Sequence, residues 1–413
     1  MAAAYVFGVS AYQASQYPWG HLGHFVVPRL ADVFVAGFAF WIGASIASFL
    51  NVVAYRMPLG RSIRGRSFCP RCHQQLASRD NVPILGWFWL RGRCRTCRLP
   101  IAARYPVVEA LGGLLMVAAV YPAIYGWSLP RGGLGLHYGY GRVAWGTLAL
   151  PRLEHWSTRL TIVYHGLAVV FSLALGLIRF DGKRLPSRLS WIALAVAVLP
   201  ILAYPPIAAV SWRQIASVDP NSIGLPASMM PGVRWVDAVV RVITSLVVAV
   251  IIGRSLARTF CRTADLKMSP LAQSTRRLID TCVILSVPIV VLGWQYGLAA
   301  TVVATVLAAI VRRVRFVHVG DALSDSAIVT DPLAAFAITL PISLAVHLAF
   351  WRPAQSLSFY ASDQCQPVVI LAWGLAMLLS PLWLPPAPPP TPLATPPEPI
   401  DAPEADEENL IDG

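Results

Sequence analysis

Four of the seven cysteines in this chain of 413 residues fall into two pairs of equal spacing. They read Cys69-Pro-Arg-Cys72 and Cys94-Arg-Thr-Cys97, with 21 residues between the pairs. A Cys-x-x-Cys turn sets two thiolates on one ion. Two such turns close a tetrahedral four-thiolate site, a donor set that suits zinc. Cys261, Cys282 and Cys365 are scattered and are expected to be free thiols. The second chemistry the sequence offers is acidic: Asp181, Asp280 and Asp321 each stand at the expected end of an apolar segment, where water and a substrate could reach a carboxylate.

The elements that must position these groups are membrane helices. The mean hydropathy is +0.60 and charged residues make up 13% of the chain, against about 25% in an ordinary soluble protein. Apolar runs near the length of a bilayer crossing recur. They predict helices near 31–55, 105–125, 160–178, 189–210, 235–253, 279–294, 296–311, 328–350 and 367–384. The expected fold class is an all-α polytopic membrane protein of eight or nine transmembrane helices with a small cytoplasmic four-cysteine zinc module. The pair 279–294 and 296–311 reads as a tight hairpin or one long kinked element.

Charge sets the topology. The net charge is +13, and all but Lys183 and Lys267 of the 33 basic residues are arginine. They gather in alternate loops, and 56–104 carries eleven arginines against one acid, Asp80. The positive-inside rule puts this loop in the cytoplasm and the N-terminus outside. A basic balance distributed this way belongs to membrane topology, so no nucleic-acid partner is expected. Thiols in a cytosolic loop favour metal over disulfides. The first 27 residues lack the basic n-region of a signal peptide. The expected organisation is a lead at 1–30, a unit at 31–125 holding the zinc loop 56–104, a bundle at 158–384 and a tail at 385–413. The tail is proline-rich with seven acids and no base, a composition expected to stay disordered in the cytoplasm. No internal repeat is visible.

The first unit resembles the N-terminal region of type IV prepilin peptidases. The residues that carry this run in order: Gly43-Ala-Ser-Ile-Ala-Ser48-Phe49-Leu50-Asn51-Val52-Val53, Arg56-Met-Pro58, the first cysteine pair, Asn81-Val-Pro83-Ile-Leu-Gly-Trp87, Leu90-Arg-Gly-Arg-Cys94-Arg-Thr-Cys97, and Arg104-Tyr105-Pro106-Val-Val-Glu109. Taken singly, Arg56 and Arg104 read as interfacial anchors, Asn51 as a helix cap, and Glu109 as an acid near a helix start or a paired intramembrane group. The resemblance implies a multi-pass protein of the bacterial inner membrane. It would cleave the leader of pilin or pseudopilin precursors by aspartic proteolysis and, in many members, methylate the new amine with S-adenosylmethionine. No glycine-rich fingerprint for that cofactor is visible, so it is implied by resemblance alone.

An aspartic mechanism needs two carboxylates that share a water and, in effect, one proton. In the resembled family the first acid lies seven residues before the proline of a D-x-D-x-x-x-x-P motif. Here that proline is Pro186 and the position holds Arg179, while Asp181 matches the second, less essential acid. The family's other acid belongs to G-x-G-D ahead of L-G-W-Q. Leu292-Gly293-Trp294-Gln295 is present and Asp280 lies near the expected place, without the glycines. His318-Val319-Gly320-Asp321 keeps one glycine but follows that landmark. Asp181 and Asp280 are therefore the expected catalytic pair, with Asp321 in reserve; a loop acid and a helix-start acid are the plainer readings of the first two. Asp237 and Arg241, one turn apart, are expected to pair, and His165 and His347 to pack inside the bundle. Peptide cleavage is the leading function; two others stay open, a degenerate relative that binds precursors or assembly partners without cleaving them, and a methylating enzyme that has lost its protease half.

Overall fold

The computed structural model describes residues 2–16, 21–69, 71–125, 156–207, 230–260, 271–313 and, with short breaks at 352–353, 355–356 and 363–364, 331–385. Among the described residues, nine helices of twelve residues or more carry the fold: α1 Leu22–Arg56, α2 Arg104–Tyr125, α3 Trp156–Phe180, α4 Ser187–Ala203, α5 Met230–Ser255, α6 Leu271–Leu292, α7 Trp294–Arg313, α8 Pro332–Ala349 and α9 Pro367–Leu378. No strand occurs among the described residues, which show only two isolated bridges. Each of the nine segments expected from hydropathy falls on a helix, although 208–210 and 328–330 lie outside the described residues. Among the described residues, five helices are long and apolar enough to cross a bilayer, and α4 and α9 are shorter apolar helices.

The first long helix starts at Leu22, nine residues ahead of expectation. Its added turns are held by a buried polar cluster. Arg29 donates to the Tyr5 hydroxyl at 2.9 Å and lies 3.3 Å from Asp32, and Tyr5 donates in turn to Asp32 at 2.9 Å. Hydropathy alone does not see a segment stabilised this way. The alternatives for 279–311 resolve as a hairpin. Gly293 takes φ of 85° between α6 and α7, a conformation open to glycine and strained for other residues.

Membrane helices gain little from excluding water between them, so close packing of small residues matters. A Cβ on Gly43 of α1 would overlap the Gly112 carbonyl oxygen and the Met116 Cβ of α2, and one on Gly112 would overlap the Ala47 Cβ. The Gly43-Ala-Ser-Ile-Ala47 stretch is thus a crossing point. Gly176 of α3 packs as closely against the Ala337 backbone of α8. Gly43→Ala is expected to lower bundle stability by about 1–3 kcal/mol, the usual result of overpacking. Gly37→Ala, on the same helix with nothing within 4 Å of its added methyl, should be neutral or mildly stabilising. Thermal unfolding in detergent compares the two.

Candidate metal centre and the charged end of the bundle

The two cysteine turns are one structure used twice. The Cys69 N–H donates to Gln74 O and the His73 N–H to Cys69 O; the Cys94 N–H donates to Leu99 O and the Arg98 N–H to Cys94 O. His73 and Arg98 both take positive φ, 58° and 59°. The bridges Phe68 to Gln75 and Arg93 to Pro100 close each turn. Every partner in the first turn recurs in the second, from Cys69 to Cys94 and from Gln74 to Leu99. The sequence hides this repeat because the two turns share their hydrogen bonds, while only the cysteines recur as residues.

The four sulfurs lie within 4.8 Å of one another. Cys69 and Cys97 are 3.9 Å apart, and Cys72 and Cys94 4.0 Å. A tetrahedron with metal–sulfur bonds of about 2.3 Å has edges of about 3.8 Å, so the cluster can hold a metal ion. The N–H of Cys97 above all, joined by that of Thr96, holds the Cys94 thiol down to about 7. Asp80, the one acid of the loop, is gripped through both oxygens by Arg95, which keeps its carboxyl below the usual range.

Glu109 ties this module to the bundle. Its carboxylate accepts the Ile84 N–H at 2.6 Å and a hydrogen bond from Ser48 of α1. Ile84 sits at φ 63°, ψ −57°, a conformation that disfavours a β-branched residue by about 1–3 kcal/mol. Glu109 fixes it. Around it, a Cβ on Gly86 would overlap Asp80 O, and the Trp87 indole donates to Ile101 O at 3.0 Å. Asn51 lies inside α1, buried and with its amide nitrogen unpartnered among the described residues, so it is no cap. Arg56 donates to Arg64 O at 3.2 Å and lies over the Phe68 ring. Between the end of α1 and the loop opens a cleft of about 730 Å³ whose walls include Ser45, Phe49, Arg56, Arg66, Ser78 and Asn81.

The expected catalytic acids meet cations. Asp181 lies 2.5 Å from Arg104 and 3.7 Å from Lys183, and Lys183 donates to Ala54 O at 3.2 Å. The turn after α3 thereby clips the ends of α1 and α2. Asp280 lies 3.3 Å from Arg179, whose side chain is 5% exposed. It also accepts the Leu185 N–H. Arg179 donates through the same nitrogen to Lys183 O at 2.8 Å. No hydrogen bond or ion pair joins Asp181 to Asp280. Asp321 lies outside the described residues. Arg277 completes the layer: it donates to Phe260 O at 2.8 Å and pairs at 2.7 Å with Asp331, which caps α8 by accepting from the Leu333 N–H. Sequence reasoning missed this layer. Its signal was the regular placing of arginine near each acid at one end of the helices.

Other polar groups are structural. Arg241 donates to Val291 O at 3.0 Å and feels the charge of Asp237. His347 bonds Ser343 O at 2.7 Å and the Tyr360 hydroxyl. His165 is buried, with neither ring nitrogen hydrogen-bonded among the described residues.

The profile of the bacterial peptidase A24 N-terminal domain matches residues 41–123. These residues are similar to that domain over the whole of the matched stretch. The matched stretch holds the α1–α2 crossing, both cysteine turns and Glu109. Among the similar proteins is the prepilin leader peptidase/N-methyltransferase of Myxococcus xanthus (strain DK1622), 47% identical over 106 residues, which are 25% of this chain and 31% of the relative. Those of Aeromonas hydrophila and Klebsiella pneumoniae are 39% identical over 114 residues and 44% over 91. The match covers 22% of this chain and 39% of the first, 20% and 40% for the second. The chain thus spans well under half the length of these relatives. No solved structure matches.

Proposed function

We propose that this protein engages pilin or pseudopilin precursors at the cytoplasmic face of the bacterial inner membrane without cleaving them by an aspartate pair. The Arg179–Asp280 ion pair carries this reading. It stands where the resembled family uses two carboxylates, and a guanidinium can neither share a carboxylate's proton nor act as a general base. Asp181 is held by Arg104 in the same way. The arginine-rich ends of α1, α2, α3 and α7 support the cytoplasmic placing of this face. In the metal-binding module, four thiolates in a tetrahedral array favour zinc.

A second reading, methylation of a precursor amine, rests on the cleft beside the zinc loop. Its size suits a nucleoside-bearing ligand. Arg56 and Arg66 would take the carboxylate of S-adenosylmethionine, and Phe49 offers a flat face to its base. Bound there, that cofactor would supply the methyl group.

Co-expression with a tagged prepilin tests both. The wild-type protein should co-purify with an uncleaved precursor, and Asp181→Ala and Asp280→Ala should change nothing in its length. Processing by the wild type that disappears in Asp280→Ala would restore the protease. Incorporation of labelled methyl groups into an amine supplied already cleaved would favour the second reading.

A further inference from the structure

We infer that the acidic C-terminal tail, residues 398–412, docks on the arginine-rich face of this chain's own zinc module. Seven of the chain's twenty acids lie in that short stretch, with no base among them. The acids of the described residues are already engaged. Asp32 pairs with Arg29, Asp80 with Arg95, Asp181 with Arg104, Asp280 with Arg179 and Asp331 with Arg277, while Glu109 takes the Ile84 N–H. Arg61, Arg64, Arg66, Arg91, Arg93 and Arg98 are exposed on the module, and no described carboxylate pairs with them. The module therefore presents a field of one sign, and the tail, with seven acids in fifteen residues, is the most acidic segment of the chain.

The geometry lets them meet. The described chain runs out at Pro385, whose carbonyl accepts from Arg312 at the end of α7 at 2.6 Å. That end is shared with the zinc module. Arg312 feels the charge of Asp331, Asp331 pairs with Arg277, and Arg179, Asp280 and the turn after α3 connect onward to Arg104 and the end of α1. The segment between Pro385 and the first tail acid, Glu398, is rich in proline. At about 3.1 Å per residue in an extended polyproline conformation its twelve residues span up to roughly 37 Å. Helices pack about 10 Å apart, so this reach crosses the end of the bundle. Attraction between clusters of six or seven charges at the surface is strong at low salt and fades as the screening length shortens.

The test places a photo-crosslinking benzoylphenylalanine at position 405 of the full chain, purified in neutral detergent. Isotope-labelled and unlabelled copies are mixed so that links within and between copies are told apart by mass. The expected result is linkage within one copy to 56–104. Its yield should fall several-fold between about 0.05 and about 0.5 M salt and when the seven acids are replaced by their amides. Linkage to the bundle alone, linkage between copies, or a yield indifferent to salt and to the amide replacements would each overturn the proposal. In vesicles of phosphatidylglycerol the module's arginines can instead bind lipid headgroups. Loss of the link there, with retention in phosphatidylcholine, would mark the same surface as one for which tail and lipid compete. Absence of the link in both would sink the proposal.

Discussion

Replacing Arg179 with methionine is expected to destabilise the bundle by about 3–5 kcal/mol, because it leaves the Asp280 carboxylate buried without its cation. The pair is 3.3 Å apart and its side chains are 5% and 12% exposed, so water cannot take over. Asp280→Asn should cost a similar amount by orphaning Arg179, whose Nε already lacks a partner among the described residues. The double change Arg179→Met with Asp280→Leu should recover much of the loss, since neither charge is then buried alone. Arg179→Asp would set two carboxylates face to face and should cost more than methionine at neutral pH. Unfolding midpoints in detergent, read by tryptophan fluorescence, give the cycle. Additive costs for the two single changes would show that the residues do not depend on each other. That outcome would also remove the reason for reading this site as an ion pair in place of an acid dyad.

The same residues show what a sequence can and cannot disclose. Helix positions were legible because a bilayer demands long apolar runs, and the cysteine module because thiolate spacing is a chemical constraint. Motif residues such as Gly43, Gly86, Trp87 and Glu109 could be recognised as a set, yet their jobs could not. Gly43 marks a helix crossing, and Glu109 holds a strained backbone 25 residues away in sequence. Arg179 was legible as a substitution; that it reaches Asp280, about a hundred residues on, depends on how α3 and α6 pack. The early start of α1 was not legible at all, because Tyr5, Arg29 and Asp32 neutralise one another only once the chain is folded. Hydropathy counts residues singly, and these elements are stabilised in pairs.

If the four-cysteine module holds zinc as proposed, stripping the ion should collapse the module while leaving the membrane helices in place. Between 57 and 103 the buried described residues are Cys69, Gly86 and Gly92, so the module has no apolar core to fall back on. Small folds without a core need a staple, and structural zinc supplies an apparent 10–16 kcal/mol, roughly, in finger peptides. Four sulfurs with edges of 3.9 and 4.0 Å are the staple that the described residues of the module offer. Cys69→Ser and Cys94→Ser should each lose stoichiometric zinc, measured by plasma mass spectrometry. Trypsin should then cut rapidly at the loop arginines, which the two cysteine turns otherwise hold in fixed conformations. The helical circular dichroism should barely change, because α1 and α2 meet through Gly43, Ala47 and Gly112 independently of the loop. A strong chelator on the wild type should reproduce the trypsin pattern, and added zinc should reverse it. Full zinc and full protection in Cys94→Ser would show that the two turns do not share one ion. Were zinc lost and protection kept, the loop's order would have to come from contacts such as the Glu109–Ile84 bond, the Trp87–Ile101 bond and the Arg95–Asp80 pair. Contacts of that kind, the ion pair among them at the exposed surface where such pairs contribute about 0–1 kcal/mol, are too weak to order a loop of this length.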